Sequence, residues 1–321
     1  GKLSSIVNIT QREGNNSAFK GSYHIGLTDL SLTFEGPLSK STTFIVTGRK
    51  TLFDAYFWAF TSLSEGNFAK VLYGFHDINA KVSWKADARN SFHFNIFQGD
   101  DYWLFKSKED EDVPDEKSRR TYIWGNVMLS AGWKYMASTR LFAENTIAYT
   151  RYRNSEKQKL SYMGEEGVTS LYSDFSSSVD MLTASSAWKF YVNDNWKLNF
   201  GLNSFFTSML PVSAKRSNQD FPIKFLKSNT FENALYLENH FVLPWRMELT
   251  AGLRGVYYHN GGFNDIKLEP RLLVQQRLNA NHQLNMSYMH VNQFSHLLFT
   301  PGSLFSNEVR IPAGGHILPS K

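Results

Sequence analysis

Residues 120–136, RTYIWGNVMLSAGWKYM, decide the fold. Apolar side chains occupy alternate positions, and the residues between them are small or polar except for Met128: Ile123, Val127, Leu129, Ala131, Trp133 and Tyr135 against Asn126, Met128, Ser130, Gly132 and Lys134. Because successive side chains of a strand point to opposite faces, a period of two residues predicts a β-strand with one apolar and one polar face.

The same alternation recurs along the chain. Three further apolar sets show it clearly: Phe92, Phe94, Ile96; Trp196, Leu198, Phe200, Leu202; and Leu284, Met286, Tyr288. The alternating segments, such as 174–192, 195–210 and 229–243, run about 13–20 residues, whereas ordinary strands have about 5–6. At about 3.3 Å per residue and a tilt near 45°, such a strand crosses the apolar band of a membrane and projects beyond it. A soluble sandwich does not need strands of this length.

Short and long connections alternate between these segments. Short turns fall at 38–40, 87–90, 136–139, 193–195, 243–245 and 279–281, and longer polar stretches lie roughly at 58–72, 100–119, 153–173, 211–228 and 258–264. This pattern predicts about 13 strands in up-and-down order from Lys20 onwards, with short turns on the periplasmic side and long loops outside. Residues 300–321, which contain several Pro and Gly, are predicted to be loop.

Aromatic residues cluster at both ends of the predicted strands. Near the short turns lie Trp84, Trp133, Tyr135, Trp188, Phe190, Trp196, Phe241 and Trp245. Near the long loops lie Tyr102, Trp103, Tyr122, Trp124, Tyr149, Tyr152, Phe205, Phe206, Tyr257 and Tyr258. Two aromatic girdles that flank an apolar band are typical of outer-membrane barrels. The predicted fold class is therefore an all-β, antiparallel, up-and-down transmembrane β-barrel.

Composition argues against several other classes. The chain has 321 residues and no cysteine, so disulfides, thiolate metal sites and cysteine catalysis are excluded. The net charge of +5 comes without a compact Lys/Arg tract, which argues against nucleic acid as a partner. No stretch approaches about 18 consecutive apolar residues, so no transmembrane helix is predicted.

The opening residues carry a family resemblance. Residues 1–15, GKLSSIVNITQREGN, resemble the end of the plug domain of TonB-dependent receptors, particularly those of Bacteroidetes-type bacteria, with Lys2 where Arg is usual. Residues 19–27, 32–38 and 43–51 resemble the first barrel strands, and LEPRL at 268–272 resembles a mid-barrel strand. The resemblance covers essentially the whole chain.

The resemblance implies active import through a barrel of about 22 strands that holds an N-terminal plug. Residues 1–15 would end the plug, and residues 16–321 would form part of the barrel. The rest of the plug, the energy-coupling box and the last strands would lie outside this chain. The implied location is the outer membrane of a Gram-negative bacterium, without enzymatic activity or a cofactor. The implied partners are outer-membrane lipid, TonB through the missing N-terminal region, a surface lipoprotein, and a nutrient such as a siderophore, cobalamin, a glycan or a peptide.

Charged residues fall on the predicted polar faces of two neighbouring segments. Opposite charges inside a barrel hydrate its lumen and can hydrogen-bond a plug, whereas the same residues facing lipid would be costly. The candidate residues facing the lumen or a ligand are Glu248, Arg254, Lys267, Glu269, Arg271 and Arg277. The alternative is the solvated face of a soluble sheet.

The remaining motifs that resemble metal, phosphate or hydrolase sites are better explained as ordinary loops and turns. The acidic run within 106–120 lacks the spacing of an EF-hand, so a solvated extracellular loop is favoured over a Ca²⁺ site. The histidines of 76–77 and 290–296 lack metal-ligand spacing. Residues 260–263, Asn-Gly-Gly-Phe, form a turn rather than a phosphate loop, and the chain has no Gly-x-Ser-x-Gly elbow.

Three alternatives stay open beside the import receptor. An outer-membrane protease or lipase would need a Ser/His/Asp or Asp/His cluster at the long-loop ends. A passive porin would need an inward loop and no plug-end motif, and a soluble adhesin would fold as a monomer without detergent. A partial barrel also has two unpaired edges that cannot face lipid. We therefore expect the chain to belong to a longer polypeptide, to close up, or to pair with a second copy.

Overall fold

A computed structural model describes residues 10–63, 70–106, 117–164, 167–216, 226–299 and 308–320. Thirteen antiparallel strands in these ranges form one sheet, in which each strand pairs with its neighbours in the sequence. Their bounds are β1 Lys20–Ile25, β2 Asp29–Ser39, β3 Thr42–Thr51, β4 Lys70–Lys85, β5 Asn90–Lys106, β6 Lys117–Met136, β7 Leu141–Gly164, β8 Gly167–Asn193, β9 Trp196–Arg216, β10 Ser228–Leu243, β11 Met247–Asn260, β12 Phe263–Arg277 and β13 Gln283–Met289. The strands β14 Ser295–Phe299 and β15 Glu308–Pro312 pair separately.

The sheet has two chemically different faces, as the alternation predicts. The apolar face carries aliphatic side chains that are between 42% and 67% exposed: Ile78, Ile96, Leu129, Ile147, Leu182, Leu202, Leu235, Leu253 and Leu268. The polar face, on the other side, carries Lys81, Asn95, Ser130, Lys134, Glu144, Asn199, Glu238, Arg254 and Glu269. An apolar surface that extends over the whole sheet is unfavourable in water, whereas hydrocarbon covers it without cost.

The structure confirms the all-β class and the strand order. The predicted segments at 120–136, 174–192, 195–210 and 229–243 lie within β6, β8, β9 and β10, and each predicted short turn falls between two strands. The strands are longer than expected, since β6 to β9 have 20, 24, 27 and 21 residues. Among the described residues, no helix is long and apolar enough to cross a membrane.

Each predicted long connection, and the loop predicted at 300–321, was wrong in part, because strands or a helix extend into it. The stretch 153–173 is mostly strand, because β7 continues to Gly164 and β8 begins at Gly167. Beyond an apolar band both faces of a hairpin contact water, so polar residues there do not indicate a loop. The stretch 258–264 contains only a two-residue turn, and 300–321, predicted to be loop, contains β15. Most of the acidic run lies at 107–116, outside the described residues.

The connection between β3 and β4 contains an unpredicted helix, α1, at Phe53–Leu63. The hydroxyl of Thr51 accepts a hydrogen bond from the Phe53 N–H at 3.2 Å, and the acidic Asp54 in the first turn favours the helix N-terminus. The register pairs Lys50 with His76, so β4 extends beyond the end of β3. The helix packs against β4 and covers this unpaired stretch.

One short turn shows how side chains set the connections. The Asp87 carboxylate accepts hydrogen bonds from the backbone N–H groups of Arg89 at 2.7 Å and Asn90 at 2.9 Å. The bond from Arg89, together with that from the Asn90 side chain, holds the pKa of the Asp87 carboxyl below its usual value. The turn between β4 and β5 is thus formed by local bonding.

Gly261 and Gly262 form the tight hairpin between β11 and β12, with φ of 52° and 106°. We expect Gly262→Ala to lower the free energy of unfolding by about 1–3 kcal/mol, because an L side chain is strained at this φ. Gly261→Asn is the matched control, since asparagine tolerates the left-handed conformation. Urea unfolding in detergent micelles, followed by tryptophan fluorescence, measures both. Equal effects of the two substitutions would contradict the assigned geometry.

Pro270 explains why β13 is short. The register pairs β13 with β12 only as far as Arg271 opposite Met289. The next residue, His290, donates its N–H to the Pro270 carbonyl at 3.1 Å, but Pro270 has no N–H to return. The chain then leaves the sheet. Within the described residues β1 and β13 are the sheet edges, each paired on one side.

Candidate functional site

An ion network joins three strands on the polar face. Arg254 of β11 lies directly opposite Glu269 of β12, and its Nη1 donates to Glu269 Oε2 at 3.0 Å. Its Nη2 donates to Glu232 Oε1 of β10 at 3.1 Å. Glu269 has no exposed surface, and Arg254 is 6% exposed. One guanidinium therefore forms ion pairs with two carboxylates, in a site that is nearly closed to water.

The other oxygen of Glu269 is held by the chain beyond β13. The backbone N–H of Asn292 donates to Glu269 Oε1 at 2.8 Å. Further along, the carbonyl of Ala313 accepts hydrogen bonds from Tyr258 Oη at 3.0 Å and from Asn260 Nδ2 at 2.7 Å. Residues 290–299 and 308–320, here called the C-terminal segment, therefore lie over the polar face of β10 to β12.

A small apolar cluster fixes the C-terminal segment in place. Phe294 stacks on Tyr258 with ring centroids 4.5 Å apart. Around them, Ala234, Val256 and Ala313 are almost fully buried. This contact removes water from the neighbouring ion network, which explains how a carboxylate can be buried on a face that is otherwise wet.

The structure pairs only two of the six predicted site residues with each other, Arg254 and Glu269. Lys267 instead lies 3.0 Å from Asp265 on its own strand. Glu248 lies 3.8 Å from His240 with its side chain half exposed, and Arg277 is exposed at the end of β12. Arg271 is partly buried, and among the described residues its Nε has no hydrogen-bond partner.

Two cavities lie along the polar face towards the short turns. The larger has a volume of about 1110 Å³, and its lining includes Lys134, Glu144, Lys189 and Glu238. The second cavity has a volume of about 670 Å³. It is bounded by Lys81 and by residues 10, 11 and 13 of the chain that precedes β1, here called the N-terminal segment. Both hold charges of both signs, so they favour polar occupants.

At the opposite end, aromatic rings line the polar face. Tyr73 of β4 lies against Trp103 of β5 with centroids 4.7 Å apart, and Trp103 stacks on Phe105. The Arg49 guanidinium lies 4.9 Å over the ring of Phe75 and pairs with Asp77. Flat rings beside charged groups can bind a ligand by stacking and hydrogen bonding.

Sequence reasoning missed Glu232 and Asn292. Glu232 could have been found, because the alternation in 229–243 places it on the same face as Glu238. Asn292 could not have been found from the residue pattern, because it contributes its backbone N–H and belongs to a segment that leaves the sheet. Among the described residues, no group of three or more His, Asp or Glu side chains is arranged to hold a metal ion.

Solved structures with a similar fold are outer-membrane receptors. A point variant of the ferric enterobactin receptor from Pseudomonas aeruginosa gives a TM-score of 0.53 at 13% identity, covering 90% of this chain and 44% of that chain. Another variant of it, solved with enterobactin, gives 0.51 at 14% identity, covering 87% and 44%. The ferric preacinetobactin receptor from Acinetobacter baumannii gives 0.53 at 10% identity, covering 94% and 51%.

These likenesses establish the fold. The chain spans about half the length of these receptors. No protein-family model matches the sequence, and no curated protein matches it. The fold is that of an antiparallel outer-membrane β-barrel, and the predicted location in the outer membrane of a Gram-negative bacterium agrees with it.

Proposed function

We propose that the chain forms part of a TonB-dependent receptor, of the Bacteroidetes type, that imports a nutrient across the outer membrane. The observation that carries the proposal is the two-faced sheet of thirteen long strands, which superposes over about nine-tenths of its length on barrels of ferric siderophore receptors. Its apolar face would contact lipid, and its charged polar face would line the lumen.

The position of the N-terminal segment supports the proposed division of the chain into a plug end at 1–15 and a partial barrel at 16–321. The Lys81 ammonium donates to the Gln11 carbonyl at 2.7 Å. Arg12 forms an ion pair with Glu35 of β2, and the Asn15 N–H donates to the same carboxylate at 3.0 Å. The described part of this segment therefore binds the polar face, where the end of a plug would lie.

The charged polar face is suited to hold polar cargo and a plug. Glu248, Lys267, Arg271 and Arg277 would contact solvent, plug or ligand, whereas Arg254 and Glu269 would fix the wall. TonB would supply energy through the plug, and a surface lipoprotein would assist at the outer mouth. The cargo would be a siderophore, cobalamin, a glycan or a peptide. We infer transport rather than catalysis.

Uptake by cells tests the proposal. We expect deletion of the gene that encodes the chain to abolish the uptake of one of four probes: ⁵⁵Fe-labelled siderophore, ⁵⁷Co-cobalamin, a labelled oligosaccharide or a labelled peptide. The gene supplied in trans should restore the uptake. A protonophore should also abolish it, because the energy comes from the proton gradient of the inner membrane.

Other outcomes separate the alternatives. Uptake that persists in the presence of the protonophore and does not saturate would show a passive porin and overturn the proposal. Release of hydrolysed product at the cell surface without uptake would show an enzyme. Arg277→Gln, which changes an exposed residue, should leave the amount of protein in the membrane unchanged, so that an altered uptake reports on the lumen.

A further inference from the structure

The N-terminal segment contacts β4, β3 and β2 before the chain enters β1. The Lys81 ammonium of β4 donates to the Gln11 carbonyl at 2.7 Å. At Gly14 the backbone lies so close to β3 that a Cβ atom would overlap the carbonyl oxygen of Phe44. The main chain of the segment is therefore seated against the sheet, and the close approach at position 14 requires a residue without a side chain.

Glu35 of β2 holds this segment by three hydrogen bonds. Its Oε1 accepts from Arg12 Nη2 at 2.9 Å, and its Oε2 accepts from Arg12 Nη1 and from the Asn15 N–H, the latter at 3.0 Å. An arginine that meets a carboxylate with both ends of its guanidinium forms one of the stronger pairs in proteins. Only 12% of the Glu35 side chain is exposed, so the sheet fixes the position of this carboxylate.

Glu35 also lies at the first residue pair of the ladder between β1 and β2. The register sets Lys20, where β1 begins, directly opposite Glu35, and the ladder contains six pairs in all. Between these points the Asn15 side chain accepts hydrogen bonds from two backbone N–H groups of the following turn, at 2.8 and 3.0 Å. Residues 12–20 therefore form a loop whose two ends both lie at Glu35.

Tension in the N-terminal segment would meet these contacts in a fixed order. It would load the bonds of Gln11, Arg12 and Asn15 before it reached β1. The segment approaches β1 across the strands, over the polar face, so without those bonds the tension would lift Lys20 from the sheet. The ladder would then open from this end, one pair after another, because each pair has its own hydrogen bonds. With the bonds in place, β2 carries the load.

We propose that Glu35 is an anchor, which transfers tension in the N-terminal segment to β2 and so keeps β1 in the sheet. The source of the tension rests on the proposed import function, in which TonB acts on the plug ahead of this segment. Glu35 acts through Arg12 and Asn15, and it is therefore a positioning residue. It sets the point in the chain at which displacement of the plug ends and the fixed wall begins.

Hydrogen exchange of the β1 amides tests the anchor without a load. The full chain in detergent is compared with Glu35→Gln and with Arg12→Gln. We expect residues 20–22 to exchange about fivefold faster in each variant, because a bidentate pair contributes at the upper end of the range for exposed ion pairs. The matched control is Glu13→Gln, which removes the same charge from the same segment, keeps the hydrogen bonds of Glu35 and should exchange as the parent does.

Pulling on the chain tests the transfer of tension itself. The chain contains no cysteine, so Thr10→Cys gives a single attachment point just before the anchor. With the protein in a lipid bilayer, release of residues 12–25 should lengthen the tether by roughly 30–50 Å. We expect this step at a lower force in Glu35→Gln than in the parent. Gly14→Ala, which pushes the segment away from β3 without a change of charge, should lower the force as well.

The outcomes decide between an anchor and a passive contact. Equal exchange rates in the parent, Glu35→Gln and Arg12→Gln, or a step at the same force in all of them, would overturn the proposal. So would a Glu13→Gln variant that behaved as Glu35→Gln does, because the effect would then come from the charge of the segment alone. Neither readout uses TonB or cargo, so a failure of the anchor is distinct from a failure of import, which uptake by cells reports.

Discussion

Replacing Arg254 with alanine is expected to lower the free energy of unfolding by about 3–5 kcal/mol, the largest effect of any single substitution considered for this chain. Arg254 is the cation shared by Glu232 and Glu269, and Glu269 has no exposed surface. Its removal leaves the buried carboxylate of Glu269 without its guanidinium partner, while the hydrogen bonds from Asn292 remain. The cost comes from this uncompensated charge rather than from the loss of one contact.

Urea unfolding in lipid vesicles measures this effect. The control is Lys267→Ala, which removes a cation from the same face but breaks a more exposed pair with Asp265 and should cost less than about 1 kcal/mol. The double variant Arg254→Leu, Glu269→Leu should recover much of the loss, since it removes both buried charges. A cost for Arg254→Ala as small as that of Lys267→Ala would show that the network is solvated in the membrane.

Replacing Gly125 with valine is expected to cost about 2–4 kcal/mol, because it inserts a side chain where another ion pair crosses the strand. Gly125 of β6 lies between Asp100 of β5 and Arg153 of β7 in register. A Cβ atom there would meet the Asp100 carboxylate and would lie 2.7 Å from the Gly99 carbonyl oxygen. The arginine and the aspartate can therefore meet across β6 only because position 125 has no side chain.

The comparison is Gly48→Val on β3. A Cβ at Gly48 meets nothing within 4 Å, and valine favours strands, so this variant should be as stable as the parent or slightly more stable. Thermal unfolding in detergent, followed by circular dichroism, compares the two. If Gly125→Val unfolds at the same temperature as Gly48→Val, the ion pair across β6 does not contribute to stability.

The fold could be predicted from the sequence because each strand and each short turn is determined by residues close together in the chain. A period of two residues, the strand lengths and the short turns are each readable within one segment, as 120–136 shows. Antiparallel neighbours joined by short turns need no long-range information. The same alternation placed Arg254 and Glu269 on one polar face, and the strand register then sets them directly opposite each other.

Features that depend on distant segments could not be predicted. The burial of Glu269 is produced by the C-terminal segment, whose contacts through Phe294 and Ala313 leave no periodic trace. The helix α1 was missed because its second half lies in 58–72, which was interpreted as a long polar connection. The polar stretch 153–173 was interpreted as a loop because polarity was taken as a sign of irregular structure, although it only indicates contact with water.

Pro270 also determines where a further strand can be added to the sheet. Above it, β12 continues to Phe263, and the part of the chain that the structure describes offers no partner on the side away from β11. By alternation, the amide and carbonyl groups of Ile266 and Leu268 point to that bare margin. An extended peptide that paired with this margin would complete the hydrogen-bond ladder of β12 beside two apolar side chains. It would have to come from a stretch other than β13, which ends before this margin begins.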